Sequence, residues 1–428
     1  MFLGGFSLHI YIIFFLLIFC IVSPKIWNHY PPSRMKVFNR LFSVLILSLL
    51  SVTSAFAQGN NFGLGNEEES NIESLTSRLL NLEERSKFFQ VYLNFRGGYH
   101  EVLNGTNKGG HLQTAHIRPE FLGDLGKWGY RIRLNLSSDH ELNNTDHTNN
   151  VIDIARIFFH PNDQWSFSFG KSALNYGTFE FDWNPVHVIE YFEFQSFMPD
   201  AAAVSFTAGY EVNNQLFTFE VANAELLPSY SNNPIASTLY PESSHPLQYS
   251  FSWRGGMLDN RLKTICSYTL RDEAKERKTH LWMLGTSYSA KKWEMQVDYN
   301  GSFSQLDYLG FATSDALEAG LIDKNHLMTD TRYQQLVADF GYRPTPRWNL
   351  FAKFGINNSS AKSIKPLHNY RQTYEYTIAA QYFLDKTQDI RLMIGYIGKS
   401  THYKKDFGLN NYQTNRIELS IVSRIKIL

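Results

Sequence analysis

From Phe89 to the C-terminus the chain alternates apolar and polar residues with hardly a break. Over the last strand-length stretch, Ile417, Leu419, Ile421, Ile425 and Ile427 share one parity, while Arg416, Glu418, Ser420, Arg424 and Lys426 share the other. Successive side chains of a strand point to opposite faces, so such a segment has one greasy face and one charged face. In a soluble sandwich the polar face would look outward. Here the alternation recurs in sixteen segments, and Tyr, Trp and Phe crowd the apolar face. That combination predicts an all-β fold: a 16-stranded antiparallel transmembrane β-barrel with lipid outside and water inside. A mean hydropathy of -0.30 suits this reading, because half of each strand is free to be polar.

The two long apolar runs, Phe6–Val22 and Leu41–Thr53, lie ahead of the alternating region. The second has secretory anatomy. Lys36 and Arg40 precede it, and Ala55-Phe56-Ala57 forms a small-x-small cleavage site before Gln58. Translation is therefore expected to begin at Met35, with 1–57 an upstream extension plus signal peptide. The competing reading is an inner-membrane helix at 6–22, which is hard to reconcile with an export signal directly behind it. Removing 1–57 takes four basic residues and no acids from 40 of each, leaving a net charge of −4. That balance excludes a strongly basic nucleic-acid binder. Cys266 is then the only cysteine, so no intrachain disulfide is expected. Residues 58–87 read as a linker followed by a short helix or coiled coil, with Ile72, Leu75, Leu79 and Leu82 at heptad spacing. The barrel is expected over 88–428.

Alternation places strands at 88–99, 111–121, 129–138, 151–160, 164–171, 202–212, 216–223, 247–254, 261–271, 280–289, 293–301, 331–342, 348–357, 372–384, 390–398 and 412–428. Connections after even-numbered strands are short, and those after odd-numbered strands are mostly long. Short periplasmic turns alternating with long outer loops put both termini in the periplasm. The fourth segment is apolar on both faces, so its register stays open.

A barrel of sixteen strands is wide enough for an aqueous lumen. Parity assigns Arg96, Arg118, Arg131, Arg133, Lys171, Lys353, Arg391, Arg416 and Arg424 to the pore wall, with Glu120, Glu294, Asp298, Glu375 and Glu418 as acidic counterparts. Two guanidiniums as close as Arg131 and Arg133 repel unless an acid or anion sits between them. The third outer loop, 172–201, is long and aromatic, and its apolar side chains are poorly placed on an exposed surface. It is expected to fold inward and narrow the pore, presenting Glu180, Asp182, Glu190 and Glu193.

The blocks Gly170-Lys171, Tyr176-Gly177-Thr178-Phe179-Glu180-Phe181-Asp182-Trp183-Asn184-Pro185 and Val221-Ala222-Asn223-Ala224 resemble the Bacteroidetes branch of the phosphate-selective porin O and P family. The resemblance implies a homotrimeric diffusion channel in the outer membrane of a Gram-negative bacterium. Its partners would be outer-membrane lipid or lipopolysaccharide and small hydrophilic solutes or ions. It implies no cofactor, no metal and no catalysis. Anion-specific members line their constriction with arginine and lysine, yet no Lys or Arg occurs between Lys171 and Arg254 here. An acid-only loop in a narrow path would favour cations unless opposing wall arginines offset it.

Two other readings stand beside the channel. Ser137-Ser138-Asp139-His140 lies at a strand's outer end, where barrel hydrolases hold catalytic groups, but Asp139 and His140 would point to opposite faces of a continuing strand. An adhesin or envelope tether is the other, since aromatic loops can bind partners. Sixteen strands favour an open lumen, because a pure anchor needs fewer.

Overall fold

The computed structural model describes residues 88–427 apart from 105–107, 138–141, 144–147, 150, 199–201, 225–238, 242, 363–366 and 386–388. All of the described residues belong to one compact unit. The leader, the linker and the heptad-spaced segment at 72–82 lie outside the described residues, as do Ser138, Asp139 and His140.

Sixteen antiparallel strands close on themselves. They are β1 (Gln90–Val102), β2 (Gly109–Leu125), β3 (Trp128–Leu134), β4 (Ile152–Phe159), β5 (Trp165–Ala173), β6 (Ala202–Val212), β7 (Gln215–Asn223) and β8 (Leu247–Met257). They continue as β9 (Leu262–Ala274), β10 (Arg277–Ser289), β11 (Trp293–Leu306), β12 (Thr329–Tyr342), β13 (Trp348–Ala361), β14 (Leu367–Asp385), β15 (Ile390–Tyr403) and β16 (Tyr412–Lys426). Every strand expected from alternation is present, and most run further at the long-loop end. The seam is the pairing of β1 with β16, from Tyr92 opposite Lys426 to Val102 opposite Arg416.

The parity holds. Leu419 and Ile421 are exposed on the outer wall, while Glu418, Ser420 and Val422 are buried inside. On β3, Trp128 and Ile132 face out, and Arg131 and Arg133 face in. On β14, Ile378 and Leu384 face out, and Thr373, Glu375 and Thr377 face in. No described helix is long and apolar enough to cross a membrane; the chain crosses with strands.

The tight turns cluster at one end. Asn213 and Asn214 both have positive φ, 48° and 60°, which matches the two-residue hairpin turn that follows the twist of the strands. One expected outer loop shrinks: β9 and β10 extend past 272–279 to a tight connection through Glu276 at φ 62°. The fourth strand was ambiguous for a structural reason. A register shift between Arg133 and Leu134 breaks the simple alternation of β4. Asp153 and Ile154 consequently both reach the inner side, Asp153 through its bonds to wall arginines.

If the outer face of β16 meets lipid, the cost of a charge there depends on depth. Leu419→Arg at mid-strand should cost about 2–4 kcal/mol, while Gln413→Arg at the long-loop end should cost about 0–1 kcal/mol. Folding titrations into lipid vesicles measure both, and equal costs would place the bilayer elsewhere.

Candidate functional site

The loop that leaves β5 runs through the interior over its described residues, 174–198. Its aromatic block supplies two short helical turns, α1 (Phe179–Asp182) and α2 (Glu193–Ser196). Each begins with backbone N–H groups that need acceptors, and wall carboxylates supply them. Phe179 and Glu180 donate to Asp298 on β11 at 3.2 and 3.0 Å. The N–H of Glu193 donates to both oxygens of Glu375 on β14, at 3.2 and 3.0 Å. Asn175 gives its N–H and its Nδ2 to Glu220 on β7, both at 3.0 Å.

Small wall residues make room for the loop's rings. A Cβ on Gly355 would lie 2.4 Å from the Phe192 ring, and one on Gly285 would lie 3.0 Å from the Phe179 ring. Tyr176, Phe192 and Phe194 are fully buried. Tyr176 and Phe194 join an apolar core with Leu281 and Met283 of β10, Tyr333 of β12 and Tyr370 of β14. The segment 307–328 enters the same core with its helix α3 (Phe311–Glu318). Phe197 meets Phe311 edge-on at 4.7 Å between centroids. Tyr370 and Tyr403 both donate to Asp315 of α3, at 3.0 and 2.9 Å. Further along the loop, Val186 and Ile189 pack on Ala379, Met393, Ile397 and Val422 of β14 to β16.

The four acids singled out in the loop are all bonded to wall cations. Glu180 meets Lys353 and Asp182 meets Arg254. Glu190 meets Arg416, and Glu193 is held by Arg371 at 2.5 and 2.8 Å and also by Lys399. Burial pushes Glu180 above its ordinary carboxylate range despite Lys353. Burial pushes Glu193 the same way, but Arg371 and Lys399 overrule it and hold it below that range. The stretch without Lys or Arg thus lacks cations in sequence and gains them in space.

The wall residues divide by partner. Arg96 bonds Glu418 at 2.5 Å and the Ile189 carbonyl at 2.9 Å. Arg131 bonds Glu120 at 2.6 Å. Arg118 and Arg133 share Asp153, at 2.9 and 2.7 Å. Arg391 meets the His187 ring at 2.5 Å, and Lys171 is buried on the inner face of β5. The acid expected between Arg131 and Arg133 is therefore two acids, one for each. Asp153, Arg254, Arg371 and Lys399 escaped the sequence reading. Asp153 was hidden by the register shift, and the others have partners distant in sequence.

A cavity of about 470 Å³ lies between the loop and the wall of β16 and β1 to β6. Arg96, Arg118, Arg133 and Arg416 line its wall with Asp153 and Glu418, and Trp183, Glu190 and Tyr191 line its loop side. The apolar core occupies the other side, against β6 to β14.

The family model of the phosphate-selective porins O and P matches residues 89–421, nearly the whole barrel. The chain belongs to the phosphate-selective porin O and P family. It is an outer-membrane porin of the Gram-negative type, a channel for small solutes and not an enzyme. Solved structures agree on the fold. The outer-membrane channel DcaP of Acinetobacter baumannii is 14% identical with a TM-score of 0.56, over 79% of this chain and 97% of its own. The anion-selective porin of Comamonas acidovorans is 9% identical with a TM-score of 0.53, over 79% and 99%. The trimer form of OmpT from Vibrio cholerae is 11% identical with a TM-score of 0.50, over 79% and 98%. No curated protein matches by sequence.

Removing one partner of a buried ion pair leaves the other charge uncompensated, at a cost of about 3–5 kcal/mol. Lys353→Met in this porin should therefore lower the unfolding midpoint in detergent, because Glu180 stays buried and loses the cation it bonds. Adding Glu180→Gln should recover most of the loss. No recovery in the double variant would mean that Lys353 acts through other contacts.

Proposed function

We propose that the third loop, 172–201, forms the narrowest part of this porin and confines passive diffusion to the eccentric channel beside β16 and β1 to β6. The observation that carries this reading is the polar cavity of about 470 Å³ between the loop and that wall, opposite a packed apolar core. A water-filled path needs polar lining, and this cavity has it. Glu180, Asp182, Glu190 and Glu193 belong to the constriction as anchors of the loop, and Arg96, Arg118, Arg131, Arg133, Lys171, Arg391 and Arg416 belong to the wall.

Four guanidiniums and three carboxylates line the cavity: Arg96, Arg118, Arg133 and Arg416 with Asp153 and Glu418 on the wall, and Glu190 on the loop side. Near-balance of fixed charge gives weak net selectivity, which suits small polar solutes. The loop acids do not impose a cation preference on this reading, since wall cations neutralise each of them. We further propose a homotrimer; the trimer form of the OmpT relative supports it. The block at 176–185 supports the Bacteroidetes branch of the family, and the secretory anatomy of 36–57 supports a start at Met35 with cleavage after Ala57.

The test is the reversal potential of the purified protein in a planar bilayer across a KCl gradient, followed by added phosphate. A small potential without phosphate block is expected. A strong anion preference blocked by phosphate would overturn the weak-selectivity reading, and a sealed barrel would favour a tether or adhesin. The combined variant Glu180→Gln, Asp182→Asn, Glu190→Gln and Glu193→Gln uncovers Lys353, Arg254, Arg416, Arg371 and Lys399. Its potential should shift toward anions, and an unchanged value would place the narrowest point elsewhere.

A further inference from the structure

The outer wall carries a cationic rung that the channel does not use. Trp293 of β11 faces Tyr342 of β12, and Trp348 of β13 faces Tyr382 of β14, at the tight-turn end of the barrel. The Trp348 and Tyr382 rings approach to 5.0 Å, and Tyr288 meets Trp293 at 5.2 Å. Such outward rings mark one membrane interface. Ten positions along β11 from Trp293 is Phe303, and ten along β12 from Tyr342 is Arg332. At about 3.3 Å per residue and a tilt of about 40°, that distance spans roughly 25 Å, the height of a barrel's apolar band. Phe303 and Arg332 therefore lie at the opposite interface, in the leaflet on the long-loop side.

The register makes these residues a row. Phe303 stands opposite Arg332 on one side and opposite His280 on the other. The Arg332 guanidinium lies 5.2 Å from the Phe303 ring centroid, and the His280 ring stacks on that ring at 6.3 Å. His280 shares a 2.7 Å hydrogen bond with the Tyr268 hydroxyl. Lys278 is two residues outward from His280 on the same face, half exposed, 3.5 Å from Asp272. Position 332 points outward: its neighbours Thr331 and Tyr333 are buried inside, and Leu336 on its own face is exposed. Arg96, Arg118, Arg131, Arg133, Arg371 and Arg416 on the inner wall all bond a carboxylate, but no carboxylate among the described residues bonds Arg332. A guanidinium at the lipid interface, preoriented on an aromatic face, fits a phosphate bidentately. Lys278 adds a second cation, and Asp272 offsets only one of the two.

We propose that Arg332 and Lys278, with Phe303 and His280, form a binding site for the phosphate of an outer-leaflet lipid headgroup on the outer face of β10 to β12. Its acyl chains lie against Trp282, Tyr299 and Leu336, which continue this face toward the mid-membrane.

The test incubates the full-length mature porin in detergent with bisphosphorylated lipid A, or with a phosphate-free glycolipid of matched chains, and counts retained lipid by native mass spectrometry. Retention of the phosphorylated lipid about tenfold above the phosphate-free one is expected, as for a charge-assisted contact. Arg332→Gln with Lys278→Gln should bring the two lipids level, and Arg332→Lys should fall between. Equal retention by the unaltered porin would overturn the proposal with no variant needed. An undiminished preference in a folded double variant would overturn it too. Displacement of lipid by inorganic phosphate at equal concentration would assign the site to the free anion and so refute a lipid site.

Discussion

In the hydrocarbon core of a bilayer a backbone N–H has no water to bond, and leaving it unpaired costs several kcal/mol. A sheet that enters lipid must therefore find its own first strand. The pairing of β1 with β16 meets that demand, joining residues more than 300 positions apart in a single ladder. The other features depend on it. The inner face exists as a surface only because the ring is closed, and the outer face can be apolar only because no edge remains exposed.

Closure creates a second problem inside. Sixteen strands enclose more space than their own side chains fill. Loop residues 174–198 and segment 307–328 occupy one side of that space with an ordinary protein core, built on Tyr176, Phe194, Leu281, Met283, Tyr333 and Tyr370. A core placed there also has to hold buried backbone and buried charge. The wall answers with carboxylates that accept the first N–H groups of α1 and α2, and with cations that meet the loop's acids. Breaking any of these leaves an unpaired charge away from bulk water, so the loop is held by many costly alternatives and not by one strong contact. The remaining side holds the polar-lined cavity, the path we propose for the channel.

How much of this was legible varies with the range of the interaction. The faces of β3, β11, β14 and β16 were readable because the alternation is local and lipid tolerates no charge at depth on the outer side. The aromatic run from Tyr176 to Trp183 signalled burial, because rings on an exposed loop would be costly. The balance of the site was not readable. Glu180 and Lys353 are 173 residues apart, and Arg371 and Glu193 are 178 apart. Nothing near either partner in sequence announces the other. Asp153 had no readable face, since its strand is apolar on both sides and one register shift inverts parity for everything beyond it.

The sequence by itself determined the period, the number of strands, the sense of their faces and the alternation of tight turns with long loops. Each of these follows from residues within a few positions of one another and from the solvent on either side of the wall. The tertiary structure alone decided which wall cation meets which loop acid and which half of the lumen is packed solid. It also decided that an acid-rich loop ends up neutralised. These outcomes depend on how a closed ring brings distant strands within reach of a chain folded through its middle, and only the closed ring sets those distances.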